Sequence, residues 1–350
     1  MAVPSSEDIA QNPTIMKRPG DRLMAEAVAI IDTARRHDVQ LRLTGGLAVR
    51  RYATDLDFMD RDFSDIDFIG LSRQSTRLRR VVGQLGYEEN RYVTQATAGA
   101  QLQYVKRARL LESRAHMLKR PRPLGPANVG SSAVDHIDIF LDVMRMDHDI
   151  DVRGRLDMDS YAISPADALL TKLQIGEMAD KDVHDVIALL KDVPLSETND
   201  GLTIDVSRLA CVCARDWGIF HDVSSNLEVI SARLAHYPLS ETEGARVGGH
   251  MATLRETIAG AEKSLRWRLR ARVGTRLPWR RQVEEREGSP VVAPAPSGET
   301  FMVLSCAECR QAVEISTELA HLPAAPLACP CCGSLDLTPQ SPEVEEPAAA

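Results

Sequence analysis

The chain has 350 residues, with 42 Lys or Arg against 50 Asp or Glu, a formal charge of −8. That balance argues against a generally basic, duplex-coating protein, while leaving room for a local basic site. At 44% hydrophobic and 26% charged residues the composition is that of a soluble globular protein, and no uncharged apolar run approaches a membrane span of roughly 18–20 residues. The first residues lack the basic-then-apolar pattern of a secretory signal, so a cytoplasmic location is expected.

In chain order, residues 1–20 are polar and proline-interrupted and are expected to be disordered. Met24, Ala27, Val28, Ile31 and Ala34 recur at helical spacing. Leu41 to Thr44 reads as a short strand ending at Gly45-Gly46, and Leu47-Ala48-Val49 opens another helix. Asp65-Ile66-Asp67-Phe68-Ile69 alternates polar and apolar residues, as a half-buried strand should. Residues 75–85 read as helical and 101–105 as extended, and His136 to Leu141 is the clearest strand. Beyond Pro165 the period becomes helical, through Ala168, Leu169 and Leu173, then Val183, Val186, Ile187 and Leu190. Residues 205–235 and 242–273 continue in that style. The Pro, Gly, Ser and Glu content of 284–300 marks a linker. A Cys-rich module follows over 301–338, and the tail, 339–350, is too polar and proline-rich to fold. No internal repeat is present.

The main functional signal is Gly45-Gly46 followed, after 18 residues, by Asp65-Ile66-Asp67. Side chains two apart in a strand share a face, so both carboxylates project together while Ile66 faces the core. Core packing has no need of two repelling carboxylates, whereas a divalent cation on a polyphosphate relieves their repulsion with hard oxygen ligands. Paired glycines at a strand-to-helix turn offer backbone N–H groups to phosphate. Asp138 alternates with Ile137 and Ile139, so it faces away from them and can complete a two-metal site.

This constellation resembles the nucleotidyltransferase superfamily of the DNA polymerase β type, and within it the small bacterial proteins related to AbiEii toxins. The resemblance covers roughly residues 25–195 and extends through Lys172 and Lys181-Asp182-x-x-Asp185. It implies an α+β fold, a nucleotidyltransferase-type mixed sheet flanked by helices over 21–195; the helical period beyond it adds a helical region over 196–283. By the same resemblance Gly45, Gly46 and Ser64 would bind nucleotide phosphates, and Asp65 and Asp67 would hold Mg²⁺ or Mn²⁺. Asp138 would be third ligand or base, Lys172 would contact the triphosphate, and Asp185 would support the site. The implied reaction transfers NMP from an NTP to a hydroxyl of RNA, protein or a small molecule, in a toxin-like or modifying role. The alternative is a catalytically inactive binding or regulatory protein of the same fold, which would use a C-terminal zinc ribbon and the basic helix to bind a partner such as a regulatory protein.

The chain departs from the pattern in its long acidic insert after Gly46, holding Asp55, Asp57, Asp60 and Asp62. Asp55-x-Asp57 competes with the chosen pair. Asp65-x-Asp67 is preferred because it follows Phe63-Ser64 and leads into an apolar strand.

Cys306, Cys309, Cys329 and Cys332 form C-x₂-C-x₁₉-C-x₂-C, a spacing suited to structural Zn²⁺ in a zinc ribbon. Cys331 reads as a spare thiol or, in a shifted register, as a replacement for Cys332, and so short a module would take its folding energy from the metal. Cys211 and Cys213 read as packed or idle thiols, and Asp147 to Asp151 as a solvated turn. Two basic stretches, 106–122 and 263–281, are candidate RNA contacts. The second carries Trp267 and Trp279, which read equally as bases' stacking partners or as anchors of a solvated helix.

Overall fold

The computed structural model describes residues 18–106, 136–198, 200–281, 301–307, 312–316 and 337–339. The N-terminal segment, the linker, the tail and most of the basic stretch 106–122 therefore lie outside the described residues. The described chain is mixed α+β and falls into two units, the larger drawing on 18–93 and 100–281, the smaller on 94–99 and the strands beyond 301.

Helix α1 (Pro19–Arg36) leads through a turn to β1 (Leu41–Leu43) and α2 (Gly45–Tyr52). After the acidic insert come β2 (Asp65–Gly70), α3 (Ser75–Gln84), β3 (Tyr87–Glu89), α4 (Arg91–Ala96) and β4 (Gln101–Lys106). Strand β5 (His136–Leu141) follows, then a hairpin of β6 (Val143–Arg145) and β7 (Asp149–Asp151). The five main strands form one sheet in the order β1-β2-β5-β4-β3. Only β2 and β5 are parallel neighbours in it, and every other pairing is antiparallel.

Alternation sets the two faces. Ile66, Phe68, Leu102, Tyr104, Ile137 and Ile139 are buried on one face, and α1 packs against β1, β2 and α3. The other face carries the acids. Residues 161–163 run beside β1, with Leu43 N–H donating to Tyr161 O at 2.7 Å and Ile163 N–H to Leu43 O at 3.0 Å. This delivers α5 (Pro165–Leu173) to the end of β1, where Pro165 occupies the first turn and the Ser164 hydroxyl caps Asp167 N–H. Helix α6 (Asp180–Asp192) then packs against α2 and α5.

A two-stranded pair, β8 (Leu195–Ser196) with β9 (Ile204–Asp205), leads into α7 (Val206–Arg215), α8 (Trp217–Arg233), α9 (Glu241–Gly260) and α10 (Leu265–Val273). The two helical stretches expected over 205–235 and 242–273 are thus four helices. Asp216 breaks the first, its carboxylate capping Gly218 and Ile219 N–H groups. Buried residues on both sides of 195/196 belong to one core, from Ile66 and Leu169 to Leu209, Leu227 and Leu254. The helical region is therefore continuous with the sheet domain.

The expected solvated turn at Asp147 to Asp151 is instead a hairpin whose His148 and Ile150 are buried. His148 Nε2 lies 2.8 Å from Asp222 Oδ2 on α8, a hydrogen-bond contact between two buried side chains. Trp267 and Trp279 act as anchors: their indole N–H groups donate to Cys213 O at 3.0 Å and to Asp222 Oδ1 at 2.9 Å. Cys213 is buried and Cys211 exposed, both as free thiols.

In the smaller unit, β10 (Phe301–Cys306) lies between β11 (Ala312–Ser316) and β12 (Leu337–Pro339), all antiparallel. Cys306 ends β10, while Cys309, Cys329 and Cys332 lie outside the described residues.

Candidate active site

The parallel register of β2 and β5 sets Asp65 beside His136 and Asp67 beside Asp138. All four side chains share the polar face of the sheet, two by two. On β4, Gln103 pairs with Asp138, and both Gln101 and Gln103 donate their amides to Asp138 Oδ1, at 2.9 and 3.1 Å. His136 Nε2 lies 3.2 Å from Asp138 Oδ2 and 3.8 Å from Asp65 Oδ2. Burial, together with the Asp65 and Asp138 carboxylates, pushes the Asp67 carboxyl up to about 8. The hydrogen bond to Asp138, aided by charges on Asp65 and Asp67, pushes the His136 imidazole up to about 9. Three acids and one imidazolium thus form a single electrostatic group.

The glycine turn presses on that group. Thr44 N–H donates to Asp67 O at 2.9 Å, and Gly45 has φ +63°, a conformation that favours glycine. A Cβ on Gly45 would collide with Asp67 Oδ2, so the turn can lie against the carboxylate only without a side chain. Helix α2 begins at this glycine, two residues before Leu47, and no side chain caps its N-terminus.

The second layer comes from α5, α6 and the acidic insert. Lys172 Nζ sits 2.8 Å from Asp182 Oδ1 and 2.9 Å from Asp185 Oδ2. Burial works against its charge, but the Asp185 and Asp182 carboxylates outweigh burial and hold it above the ordinary lysine range. Lys172 also acts on Asp67, whose pKa its charge pulls downward. Arg61, from the insert, grips Asp185 with a fork: Nε to Oδ1 at 3.1 Å and Nη2 to Oδ2 at 2.9 Å. Its guanidinium lies 4.2 Å over the Phe63 ring, and a Cβ on Gly46 would strike Arg61 Nη2.

Asp65, Asp67, Asp138, Lys172, Asp185, Gly45 and Gly46 are therefore brought together. Ser64 is exposed one residue before β2. The competing Asp55-x-Asp57 is resolved by its contacts. Asp55 Oδ1 caps the N–H groups of Asp57 and Phe58, each at 3.1 Å, and Asp57 pairs with Arg18. Sequence reasoning did not select His136, Gln101, Gln103 or Arg61. Period-two alternation marks His136, which shares its strand face with Asp138, whereas Gln101 and Gln103 are set against Asp138 by the β4–β5 register. Arg61 is a basic residue in a strongly acidic insert.

Among the described residues, no group of three or more His, Cys, Asp and Glu side chains is already arranged to hold a metal ion. The donor set still suits a hard cation, because Mg²⁺ commonly takes one or two carboxylates and completes its shell with water and substrate phosphate. No family model matches the chain, and neither does any functionally curated protein.

Proposed function

We propose that the chain is a metal-dependent nucleotidyltransferase that transfers NMP from an NTP to a hydroxyl acceptor. One observation carries the reading: the β2–β5 register gathers Asp65, Asp67 and Asp138 on one face, beside a glycine turn that abuts Asp67. Asp65 and Asp67 would hold Mg²⁺ or Mn²⁺, which when bound would neutralise charge developing on the pyrophosphate leaving group. The turn at Gly45-Gly46 would seat the phosphates on backbone N–H groups. Asp138 would take the acceptor's proton; the glutamine amides engage its Oδ1 and His136 Nε2 lies 3.2 Å from its Oδ2, so the acceptor's hydroxyl would displace one of these contacts. Lys172, tied to Asp182 and Asp185, would act by placing positive charge behind Asp67.

The test incubates purified protein with each labelled NTP, Mg²⁺ or Mn²⁺ and cell extract, then follows label into RNA, protein and small molecules. Transfer by wild type and its loss in Asp65→Ala/Asp67→Ala is the expected result. No transfer above that control under any condition would end the enzymatic reading.

A second reading, a non-catalytic binding or regulatory protein of the same fold, draws on His136. Its imidazolium already supplies positive charge among the acids, and Lys172 and Arg61 are both paired with carboxylates. Asp65 variants that keep full partner binding, without any measurable transfer by wild type, would favour it.

For the smaller unit the proposal is a structural Zn²⁺ on Cys306, Cys309, Cys329 and Cys332. Elemental analysis should find about one zinc per chain by that four-thiolate stoichiometry. Its retention in Cys329→Ser/Cys332→Ser would exclude the assignment. RNA is one possible acceptor, through 263–281, although both tryptophans there already serve as anchors.

A further inference from the structure

The insert between the glycine turn and the paired acids supplies one side chain that the reaction above does not use. Arg61 reaches from a segment carrying Asp55, Asp57, Asp60 and Asp62, yet it turns to Asp185, whose side chain is fully buried on α6. The guanidinium fork is fixed three ways. Asp185 binds it in bidentate fashion, the Phe63 ring lies beneath it, and Gly46 leaves the space for Nη2. It is one-fifth exposed, so it is not sealed off from an incoming ligand.

Two features set this arrangement apart from a surface ion pair that merely tethers a loop. First, Gly46 is helical and has no positive φ, so backbone conformation does not demand glycine there. The space is kept for the guanidinium. Second, Lys172 divides its charge between Asp182 and Asp185, so Arg61 completes a balanced group of two cations and two carboxylates. Arg61 Nη2 lies against the uncapped first turn of α2, where backbone N–H groups have no side-chain acceptor.

Resting on the nucleotidyltransferase reading, we propose that Arg61 is a triphosphate-binding residue, delivered by the insert and aimed across Gly46 by Asp185 and Phe63. With Nε and Nη2 on Asp185 and one Nη1 N–H on Asp62 O at 3.1 Å, the second Nη1 N–H is the donor left for a phosphate oxygen, on a guanidinium whose plane is already set. Asp185 and Phe63 fix the side chain in advance, which lowers the ordering cost of binding. In this arrangement Lys172 remains behind Asp67 as the positioning charge, and Arg61 makes the contact expected of it.

The experiment titrates the full chain with magnesium tripolyphosphate and with the four magnesium NTPs by calorimetry, for wild type, Arg61→Gln and Arg61→Lys. Arg61→Gln should weaken tripolyphosphate and NTP by the same factor, about 10- to 100-fold, as expected for hydrogen bonds to a charged group. Arg61→Lys, which keeps the charge without the fork, should fall between. Melting curves separate this from a purely structural role, which would lower the melting temperature and leave tripolyphosphate affinity unchanged. A folded Arg61→Gln that binds tripolyphosphate like wild type overturns the inference about Arg61 alone. Should Arg61→Gln not fold, wild-type affinity in Arg61→Lys overturns it equally. Wild type that binds neither tripolyphosphate nor any NTP overturns the parent reading as well.

Discussion

A carboxyl pushed up to about 8 keeps its proton at neutral pH, so a cation arriving at Asp67 must displace that proton. Mn²⁺ affinity should rise about tenfold per pH unit from pH 6 towards 8 and level off above, by one-proton linkage. A pH series of Mn²⁺ titrations followed by electron paramagnetic resonance checks this, and a flat profile would mean that no proton leaves Asp67 when the cation binds. The same proton bears on folding. Asp67 titrates near 3.9 when unfolded and near 8 when folded, so its contribution is intact below about 3.9 and is lost as pH rises through about 8. His136 goes from about 6.5 to about 9, so its contribution is intact below about 6.5 and is lost through about 9. The melting temperature should therefore fall between pH 6.5 and 9. In calorimetry Asp67→Asn should out-melt wild type by a margin that grows from pH 5 to 8. A constant margin would show that Asp67 is not the group responsible. Gly45 is bound to this acid by contact as well as by φ. Gly45→Ala should cost more than the roughly 1–2 kcal/mol of a left-handed alanine, and an Asp67→Ala background should return it to that range. Urea unfolding of the four proteins gives the coupling.

At the scale of elements, α5 and α6 meet around a buried cation. Removing Lys172 strands Asp182 and Asp185 with Arg61 as the remaining partner of one of them, so Lys172→Met should destabilise by about 3–5 kcal/mol. Lys172→Met/Asp182→Asn/Asp185→Asn should recover much of that loss in denaturant unfolding. If Lys172→Met were neutral, the lysine would be free for substrate after all. Its activity defect can be read as catalytic only after this comparison. The strands β2, β4 and β5 were legible in the sequence because alternation is local: Ile66 and Phe68, or Ile137 and Ile139, define a face without knowledge of neighbours. The site acids were legible for the same reason. Their company was not. That His136 falls beside Asp65, and that Gln101 and Gln103 converge on Asp138, depends on a register between distant strands that no local pattern encodes. The start of α2 at Gly45 was hidden because glycine usually ends helices, and here close approach to Asp67 overrides that preference. The buried hairpin at 143–151 was misjudged because three aspartates mask the alternation of Met144, His148 and Ile150.

For the molecule as a whole, the larger unit closes on Asp222. Its carboxylate receives His148, His221, the Trp279 indole and Arg280, and Arg281 N–H donates to Asp147 O at 2.9 Å. Residues at the end of the described helical region thus hold the β6–β7 hairpin against α8. Trp279→Ala should cost about 2 kcal/mol or more, through a lost indole donor and lost ring contacts with Trp217 and His221. A melting temperature unchanged by that substitution would mean the segment rides on the surface. The order β1-β2-β5-β4-β3 carries a further consequence, for synthesis. β1–β2 and β3–β4 are both complete antiparallel pairs before β5 has been translated, and β5 enters between them as the central strand. A chain that ends before His136 has the strands that carry Asp65, Asp67 and the two glutamines but lacks the strand that joins them. Asp138 joins them only by insertion, so any chemistry these groups perform is withheld until the sheet is whole.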